Sequence, residues 1–394
     1  MSGPPVGVTS DRVGGSEGST GPIPGADELR AVRRSTARVE EILEGAATGR
    51  RITPEEALIL FREATLLDLG VAADLVRRRL HPQPIVTYIV DRNVNYTNVC
   101  VVRCSFCAFY RDPGHPEGYL HSLESLHAKI EETLALGGTG ILMQGGHHPD
   151  LPLEWYEGML RSFRAKFPRL HIHAFSPPEV QHLVKVSGRP LDEVLRRLKE
   201  AGLDSIPGGG GEILVDEVRR AISPLKTMSD DWLAVMESAH RLGLPTTATM
   251  MFGHVERYAD RVTHMKKIRD LQDRSLARGA ASFTAFIAWT YKAENTALGG
   301  REVSSADYLR TQAIARLVVD NIPNIQSSWV TQGKEIGQIA LKFGANDMGS
   351  TMIEENVVRA AGAHGCTTRS EIERLIQEAG YIPRQRDTLY HLVS

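Results

Sequence analysis

The chain has 394 residues, of which 42% are hydrophobic and 24% charged, and its formal net charge is −2. These values are typical of a soluble globular enzyme that buries its core without disulfide bridges. Because no Lys/Arg cluster and no apolar run of membrane-spanning length occurs, we expect neither a nucleic-acid nor a membrane partner.

The first 26 residues lack the basic start and the apolar segment of a signal peptide. They are rich in Gly, Ser and Pro and bury too little surface to offset the entropy of ordering, so a disordered tail is expected over residues 1–26. The chain has four cysteines in total and no export signal. A cytoplasmic location is therefore expected.

Helical periodicity predicts N-terminal helices over residues 27–85. One of them should begin at Thr53, which precedes a proline and two acids in the first turn. The rest of the chain, residues 86–394, is predicted to form one barrel with a C-terminal helical extension.

Short apolar or β-branched segments alternate with amphipathic segments from residue 86 onward. Such alternation predicts an α/β fold with a parallel sheet. Eight units over roughly 250 residues favour a closed (β/α)₈ TIM-type barrel over an open doubly wound sheet. The predicted strands lie near residues 86–97, 139–146, 170–175, 203–209, 246–253, 281–289, 325–331 and 340–347.

Three of the four cysteines, Cys100, Cys104 and Cys107, lie within eight residues in the pattern C-x₃-C-x₂-C. Thiolates bind soft metal centres, and three of them can hold three irons of an iron–sulfur cube. A structural zinc would require four ligands, and His115 stands at an irregular spacing for the fourth. Cys366 is interpreted as a small buried hydrophobe.

With Phe106 before the last cysteine, this motif resembles the signature of the radical S-adenosylmethionine (SAM) superfamily. The resemblance implies that the three cysteines hold a [4Fe–4S] cluster whose fourth iron binds SAM. It also implies that reductive cleavage of SAM yields a 5′-deoxyadenosyl radical, which abstracts a hydrogen atom from the substrate.

Longer segments, from about residue 30 to the C-terminus, resemble the dehypoxanthine futalosine cyclase family of menaquinone biosynthesis. They include NVNYTNVCVVRCSFCAFYR, MQGGHHPDLPLEWYEG, HIHAFSPPEV and FGANDMGSTMIEENVV. The resemblance implies hydrogen abstraction from C4′ of the ribose of dehypoxanthine futalosine. Addition to the benzoate ring and loss of one electron and one proton would then give cyclic dehypoxanthinylfutalosine. An electron donor such as flavodoxin or ferredoxin is an implied partner.

The resemblance also assigns cofactor contacts at predicted strand ends. Gly145 and Gly146 would approach the SAM amino group with bare backbone, although His147 follows them where the superfamily usually has an acid. Glu212, after four glycines, would bind the SAM ribose, and Arg219, rather than Arg220, would pair with the SAM carboxylate. The alternatives are a tight turn for the glycines and simple helix charges for the others.

Two histidines are candidate catalytic groups. His254 follows a strand end and could accept the final proton. His173 shares a strand face with His171, although a core histidine is as good an interpretation. Further candidates for cofactor contacts or pocket walls are Phe106, Ser176, Glu179, Thr290, Asn295, Trp329 and Asn346.

Two rival functions remain open. Aminofutalosine synthase and the deazaflavin-forming radical SAM enzymes share stretches similar to GGHHP and HAFSPPE. A non-enzymatic iron–sulfur electron carrier would normally supply a fourth cysteine near the cluster.

Overall fold

The computed structural model describes residues 26–363 and 366–393, with side chains of the first helix described from residue 35. The predicted tail, residues 1–26, thus lies outside the described residues except for its last position. No helix among the described residues is long and apolar enough to cross a membrane.

Three helices precede the first strand: α1 (Ala26–Thr48), α2 (Pro54–Glu63) and α3 (Leu66–Leu80). The predicted helix start at Thr53 is confirmed. Its hydroxyl accepts the N–H of Glu56, and the Glu56 carboxylate accepts the N–H of Thr53. This capping box satisfies N–H groups that the first turn leaves unpaired. Apolar side chains of all three helices belong to the main hydrophobic core.

Nine short strands follow among the described residues. They are β1 (Ile85–Ile89), β2 (Asn93–Val94), β3 (Gly140–Met143), β4 (His171–Ala174), β5 (Thr246–Phe252), β6 (Phe283–Thr290), β7 (Asn324–Gln326), β8 (Asp347–Ser350) and β9 (Ile382–Gln385).

Helices alternate with these strands. They are α4 (Leu123–Ala135), α5 (Leu153–Lys166), α6 (Pro177–Ser187), α7 (Leu191–Ala201), α8 (Asp216–Ile222), α9 (Ser229–Arg241), α10 (Tyr258–Ala277), α11 (Ser305–Val318), α12 (Trp329–Gln332), α13 (Lys334–Ile339), α14 (Val357–Ala360) and α15 (Arg369–Glu378), with a 3₁₀ turn at Ala340–Lys342.

Parallel pairing closes the strands into a ring. One sheet has the order β5-β6-β7-β8-β1-β9 and the other has the order β2-β3-β4. Single-residue parallel bridges, His173 to Ser205 and Ile206 to Thr246, join β4 to β5 through the fourth predicted strand. Because β1 and β2 are two halves of one extended segment, the pairing returns to its start. The predicted (β/α)₈ barrel is confirmed.

Three predicted strands differ from the structure. The strand predicted over residues 325–331 is limited to Asn324–Gln326, and the helix α12 begins at Trp329. Residues 203–209 contribute only the two bridging residues, because Pro207 lacks an N–H and a run of glycines follows. The eighth strand, predicted over residues 340–347, lies later in the chain. These residues form a 3₁₀ turn and a bend at Gly344, which has φ +93°, and the strand begins only at Asp347.

The C-terminal segment closes the end of the barrel at which the strands begin. β9, which the predicted helical extension did not include, pairs in parallel with β1. Arg386, directly after it, is buried and forms an ion pair with Asp347. Asp347 also accepts the Thr87 hydroxyl at 2.6 Å. The site must therefore open at the opposite end, where the strands end.

Candidate functional site

The cysteine loop follows β2 and is held at its base by backbone hydrogen bonds. Cys100 N–H donates to the carbonyl of Arg111 at 2.9 Å, and Arg111 N–H donates to Asn98 at 2.8 Å. The Arg111 side chain then donates to the carbonyls of Ala108 and Tyr110 at 3.1 and 2.9 Å. One arginine thus fixes the turn after the last cysteine.

The three thiols face a common space. All are free, and Cys104 is buried while the other two are partly buried. The pKa of Cys104 is raised to about 12, mainly by burial and to a smaller extent by the charges of Glu212, Cys107 and Cys100. Burial also raises the pKa of Cys107, with a contribution from Cys100. Thiols that influence one another in this way suit a cluster that bridges all three.

A single-ion site is not formed here. Among the described residues, no three His, Cys, Asp or Glu side chains converge closely enough to hold one metal ion. The loop therefore presents three separated thiols around one space, and this donor set fits an iron–sulfur cube with one iron left free of protein ligands.

Lys226 is a cation beside the thiols that the sequence analysis missed. Its charge lowers the pKa of both Cys104 and Cys107. Its Nζ lies 5.2 Å from the centre of the Phe106 ring and 2.9 Å from Glu212 Oε1. Phe106 therefore lines the thiol space through a cation–π contact.

Glu212 brings an unsatisfied acceptor to this space. It is 5% exposed, and its backbone adopts a left-handed φ of 27°. Its Oε2 is buried, accepts no hydrogen bond from any described residue and lies 3.6 Å from a nitrogen of Arg219. A buried carboxylate oxygen without a donor is costly, so the geometry fits a ligand that donates a hydroxyl there.

Arg219 is committed to the glycine loop. Its Nε donates to the carbonyl of Thr227 at 2.8 Å. Its other two nitrogens donate to the carbonyls of Gly211 and Gly210 at 2.9 and 3.0 Å. The side chain is 1% exposed. In this arrangement Arg219 shapes the loop that presents Glu212, and its contact with the SAM carboxylate stays a prediction.

Gly145 and Gly146 are required by the close approach of the protein's own chain. A Cβ on Gly145 would lie 2.4 Å from the Tyr96 ring, and a Cβ on Gly146 would lie 2.1 Å from the carbonyl oxygen of Val99. Gly146 therefore packs directly on the start of the cysteine loop. The predicted approach of both glycines to the SAM amino group stays a prediction.

Ser176 and Glu179 form a buried polar group behind these glycines. The Glu179 carboxylate accepts the Ser176 N–H and hydroxyl at 2.8 and 2.6 Å. It also accepts the Gly145 N–H at 2.9 Å and the Tyr96 hydroxyl at 2.8 Å. Glu179 thus ties the glycine pair to the start of α6, and the Ser176 hydroxyl is already donating within the protein.

His254 lies at the end of β5 in a dense polar network. Burial lowers its pKa, and Glu212 is among the carboxylates that influence it, so it lies near the thiol space. Its Nε2 lies 3.2 Å from the Met251 carbonyl, and its Nδ1 accepts the Val255 N–H at 2.8 Å. Both ring nitrogens are therefore engaged within the protein.

His173 faces the barrel interior, on the opposite side of β4 from Ile172, which lies in the main core. Its Nδ1 lies 2.6 Å from the Ser205 hydroxyl, which also contacts His171. Burial lowers the pKa of His173 to about 3, so its ring is neutral near pH 7. Its Nε2 has no hydrogen bond to the described residues.

Several predicted pocket walls have other positions. Asn346 precedes β8 and contacts Asn324 and Arg316 at the closed end of the barrel, so that prediction is wrong. The reason is the misplaced eighth strand. Trp329 is 3% exposed and packs in a second core against α15. Cys366 is exposed, so its interpretation as a buried hydrophobe is wrong.

Thr290 and Asn295 lie at the open end after β6. Thr290 is buried and accepts Gln332 Nε2 at 2.8 Å. Asn295 Nδ2 donates to the carbonyl of Ala360 in α14 at 3.1 Å. This contact joins the loop after β6 to the C-terminal region.

The upper part of the barrel contains accessible space. Ile287 pairs in register with Thr249 and Gln326, and all three are partly exposed although they lie inside the ring. A polar cavity of about 320 Å³ adjoins the same end, lined by residues after β7 and β8 that include Glu355 and Arg359. The site thus combines the cysteine loop, which could hold a cofactor, with a cavity that has room for a substrate.

Comparison with known protein families gives two matches. Residues 94–268 match the radical SAM superfamily. Residues 280–394 match the family described as the CofH/MqnC C-terminal region. The cysteine loop lies in the first match, and the cavity beside α14 lies in the second.

Curated relatives cover nearly the whole chain. A cyclic dehypoxanthine futalosine synthase of Halalkalibacterium halodurans is 46% identical over 356 residues, covering 90% of this chain and 95% of the relative. One of Streptomyces coelicolor is 48% identical over 362 residues, covering 91% and 90%. An aminodeoxyfutalosine synthase of Thermus thermophilus is 38% identical over 374 residues, covering 93% and 98%.

Among solved structures, the FeFe-hydrogenase maturase HydG from Carboxydothermus hydrogenoformans superposes with a TM-score of 0.69. It shares 15% identity, and the match covers 92% of this chain and 82% of that chain. This likeness supports the fold alone.

Proposed function

Because this chain belongs to the radical SAM superfamily and carries a CofH/MqnC C-terminal region, we propose that it converts dehypoxanthine futalosine to cyclic dehypoxanthinylfutalosine in menaquinone biosynthesis. The observation that carries the proposal is the set of three free thiols around one space, with a Glu212 oxygen beside them that accepts no hydrogen bond from any described residue. The enzyme thus takes a small-molecule substrate.

Specific residues would hold the cofactors. Cys100, Cys104 and Cys107 would bind the [4Fe–4S] cluster, and Glu212 would accept a ribose hydroxyl of SAM. When bound, the cluster and SAM supply a 5′-deoxyadenosyl radical, which is the hydrogen-atom acceptor of the reaction. Lys226 would favour the thiolate forms, because its positive charge lowers the pKa of the thiols.

The other residues predicted to contact the cofactor would shape the site through packing and hydrogen bonds. Gly146 lets the cysteine loop pack at van der Waals distance, and Gly145 is fixed by Glu179. We propose that Arg219 and Ser176 support the SAM site through the glycine loop and the start of α6, where their hydrogen bonds lie.

For the final proton transfer we keep two candidates, His254 and His173. His173 is favoured, because its ring is neutral and its Nε2 is not engaged with any described residue. The substitution His173→Gln should slow formation of the cyclised product, while 5′-deoxyadenosine still forms. Equal loss of both products would instead indicate a structural role.

We also propose a one-electron carrier such as flavodoxin or ferredoxin as the reductant, acting in the cytoplasm. The free thiols suit a reducing compartment. A second cavity, of about 320 Å³, adjoins the cysteine loop at Val101 and His147, and exposed Leu225 lines it. This surface would give a carrier access close to the cluster.

An anaerobic assay on cluster-reconstituted protein tests the proposed activity. With SAM, dithionite and dehypoxanthine futalosine, the account predicts 5′-deoxyadenosine and a product that is lighter than the substrate by two hydrogen atoms. The aminofutalosine synthase substrate is the matched comparison, since a relative with that name is also similar. Turnover of that substrate instead would transfer the proposal to the sister reaction.

A further inference from the structure

The cavity beside α14 has the chemistry of a site for an aryl carboxylate. Its described lining combines apolar side chains, among them Val330 and Ile353, with two glutamates and one cation, Arg359. Its volume, about 320 Å³, is at the lower end of the range for small-molecule sites.

Arg359 supplies the positive charge of this cavity. It lies in α14, is exposed, and forms no ion pair with any described residue. Most buried arginines of this chain are already engaged. Arg261 and Arg386, for example, bind carboxylates. Arg359 therefore has its donors available for an incoming anion.

The two acids that line the cavity are hydrogen-bonded within the protein, and this reduces their repulsion of a bound anion. Glu354 accepts two hydrogen bonds from Lys129 and one from Arg92. Glu355 accepts the N–H groups of Val357 and Val358, and burial raises its pKa. Both acids thus have their carboxylate oxygens engaged within the protein, whereas no described residue pairs or hydrogen-bonds with the Arg359 guanidinium.

Two lining residues of the cavity are hydrogen-bonded to β2 and to the residue just after it. Asn93 of β2 donates to Glu355 at 2.7 Å, while its own Oδ1 is buried without a partner among the described residues. Asn356, on the cavity wall, donates to Asn95 Oδ1 at 3.3 Å. The wall of the cavity is therefore fixed against the end of β2.

The loop after β6 joins the α14 side of the cavity to the cysteine loop. Leu298, after β6, donates its N–H to the Ser105 carbonyl at 2.8 Å. Asn295 of the same loop donates to Ala360, the residue after Arg359. One loop thus contacts the cluster segment on one side and α14 on the other.

We propose that this cavity binds the benzoate end of the substrate, with Arg359 as the partner of its carboxylate and Val330 and Ile353 against the ring. This inference rests on the proposed function, whose substrate carries an aryl carboxylate at one end and a ribose at the other. Arg359 is then a specificity-determining residue, because only a substrate with the carboxylate can pair with its guanidinium.

The test combines a substitution with a change in the substrate. Binding of dehypoxanthine futalosine and of its analogue without the carboxylate is measured by calorimetry on cluster-loaded protein without SAM, so no turnover occurs. Arg359→Gln should weaken binding of the substrate about tenfold to a hundredfold, as expected for a charged hydrogen bond. Binding of the analogue should barely change.

Two further variants keep the test decisive. Arg359→Lys retains the charge and should give an intermediate loss. Arg374→Gln removes an exposed arginine of α15 that pairs with Glu378 outside the cavity, and it should bind both ligands like the wild type. Unchanged discrimination by Arg359→Gln would overturn the inference while leaving the cyclase activity standing. A wild type that neither binds nor cyclises the substrate would overturn both.

Discussion

Most charged residues near the thiol space act on the protein's own backbone. Arg111 fixes the turn after the last cysteine, Arg219 holds the glycine loop, and Glu179 anchors Gly145. Glu212 differs, because one of its carboxylate oxygens is buried and accepts no hydrogen bond from any described residue. That oxygen is the clearest mark of a missing ligand at this scale.

Replacing any of the three loop cysteines should abolish cluster binding. Cys104→Ala removes one of three iron ligands. The reconstituted protein should therefore lose its iron and the visible absorbance of the cluster. The exposed Cys366 lies outside the loop, and Cys366→Ala should retain both. Iron and sulfide analysis measures the difference, and an iron-replete Cys104→Ala protein would contradict the assignment.

Glu212→Gln should weaken SAM binding. The amide keeps the shape but loses the charge that favours a hydroxyl donor, so the dissociation constant of SAM should rise about tenfold or more. The exposed Glu217→Gln, in α8, is the matched control. Equal SAM affinity in the two variants, measured by equilibrium binding, would remove Glu212 from the cofactor site.

At the scale of elements, the loops after strands build the site, and their close packing depends on small residues. The segment after β3 packs on the start of the cysteine loop, where Gly146 faces the Val99 carbonyl. The glycine run before Glu212 packs in the same way, since a Cβ on Gly208 would lie 2.7 Å from the Thr247 carbonyl oxygen. Neither contact tolerates a larger side chain without movement.

Gly146→Ala should displace the cysteine loop. The new Cβ would lie 2.1 Å from the Val99 carbonyl oxygen, so the backbone must shift. We expect a folded protein with reduced cluster occupancy. Gly158→Ala in α5 is the control, because nothing lies within 4 Å of its Cβ, and it should stabilise the protein by up to ~1 kcal/mol. Full iron loading of Gly146→Ala would contradict the packing argument.

Strong local patterns predicted the elements well. The cysteine loop, the Thr53 cap and six strand positions were found from spacing and periodicity. The strand β8 was misplaced because its residues, DMGS, are polar or small inside the barrel, whereas the apolar segment before it forms a turn. Lys226 was missed because a lone lysine in SPLK carries no motif, and the fold alone brings it to the thiols.

At the scale of the whole molecule, the C-terminal segment that begins with β9 covers the closed end of the barrel. β9 adds to β1, and Arg386 reaches Asp347 inside the ring. The sequence gives little sign of this role, since IPRQ contains a proline and a charge. The strand β1, which begins at Ile85, is thus paired with a strand from the far end of the chain.

Arg386→Ala should destabilise the whole domain. It leaves Asp347 buried without its cation, for which the expected loss is about 3–5 kcal/mol. Arg384→Ala, an exposed position of the same strand, should change the free energy of unfolding by less than about 0.5 kcal/mol. Urea denaturation measures both, and equal stabilities would show that the ion pair is not needed to close the barrel.

Acid should destabilise the fold through buried histidines. Burial lowers the pKa of His240 from 6.5 to about 4 and that of His173 to about 3. Because the unfolded chain binds these protons first, stability falls as the pH drops from about 6.5 toward 4. His240→Gln should reduce the slope in this window, whereas the exposed His115→Gln should not. Unchanged slopes would assign the acid sensitivity to other groups.

Isotope transfer from the substrate to 5′-deoxyadenosine tests the proposed reaction. Dehypoxanthine futalosine carrying deuterium at C4′ is incubated anaerobically with reconstituted protein, SAM and reductant. The account predicts deuterium in the 5′-deoxyadenosine and a cyclised product without it. Unlabelled 5′-deoxyadenosine beside substrate that retains its deuterium would contradict the account.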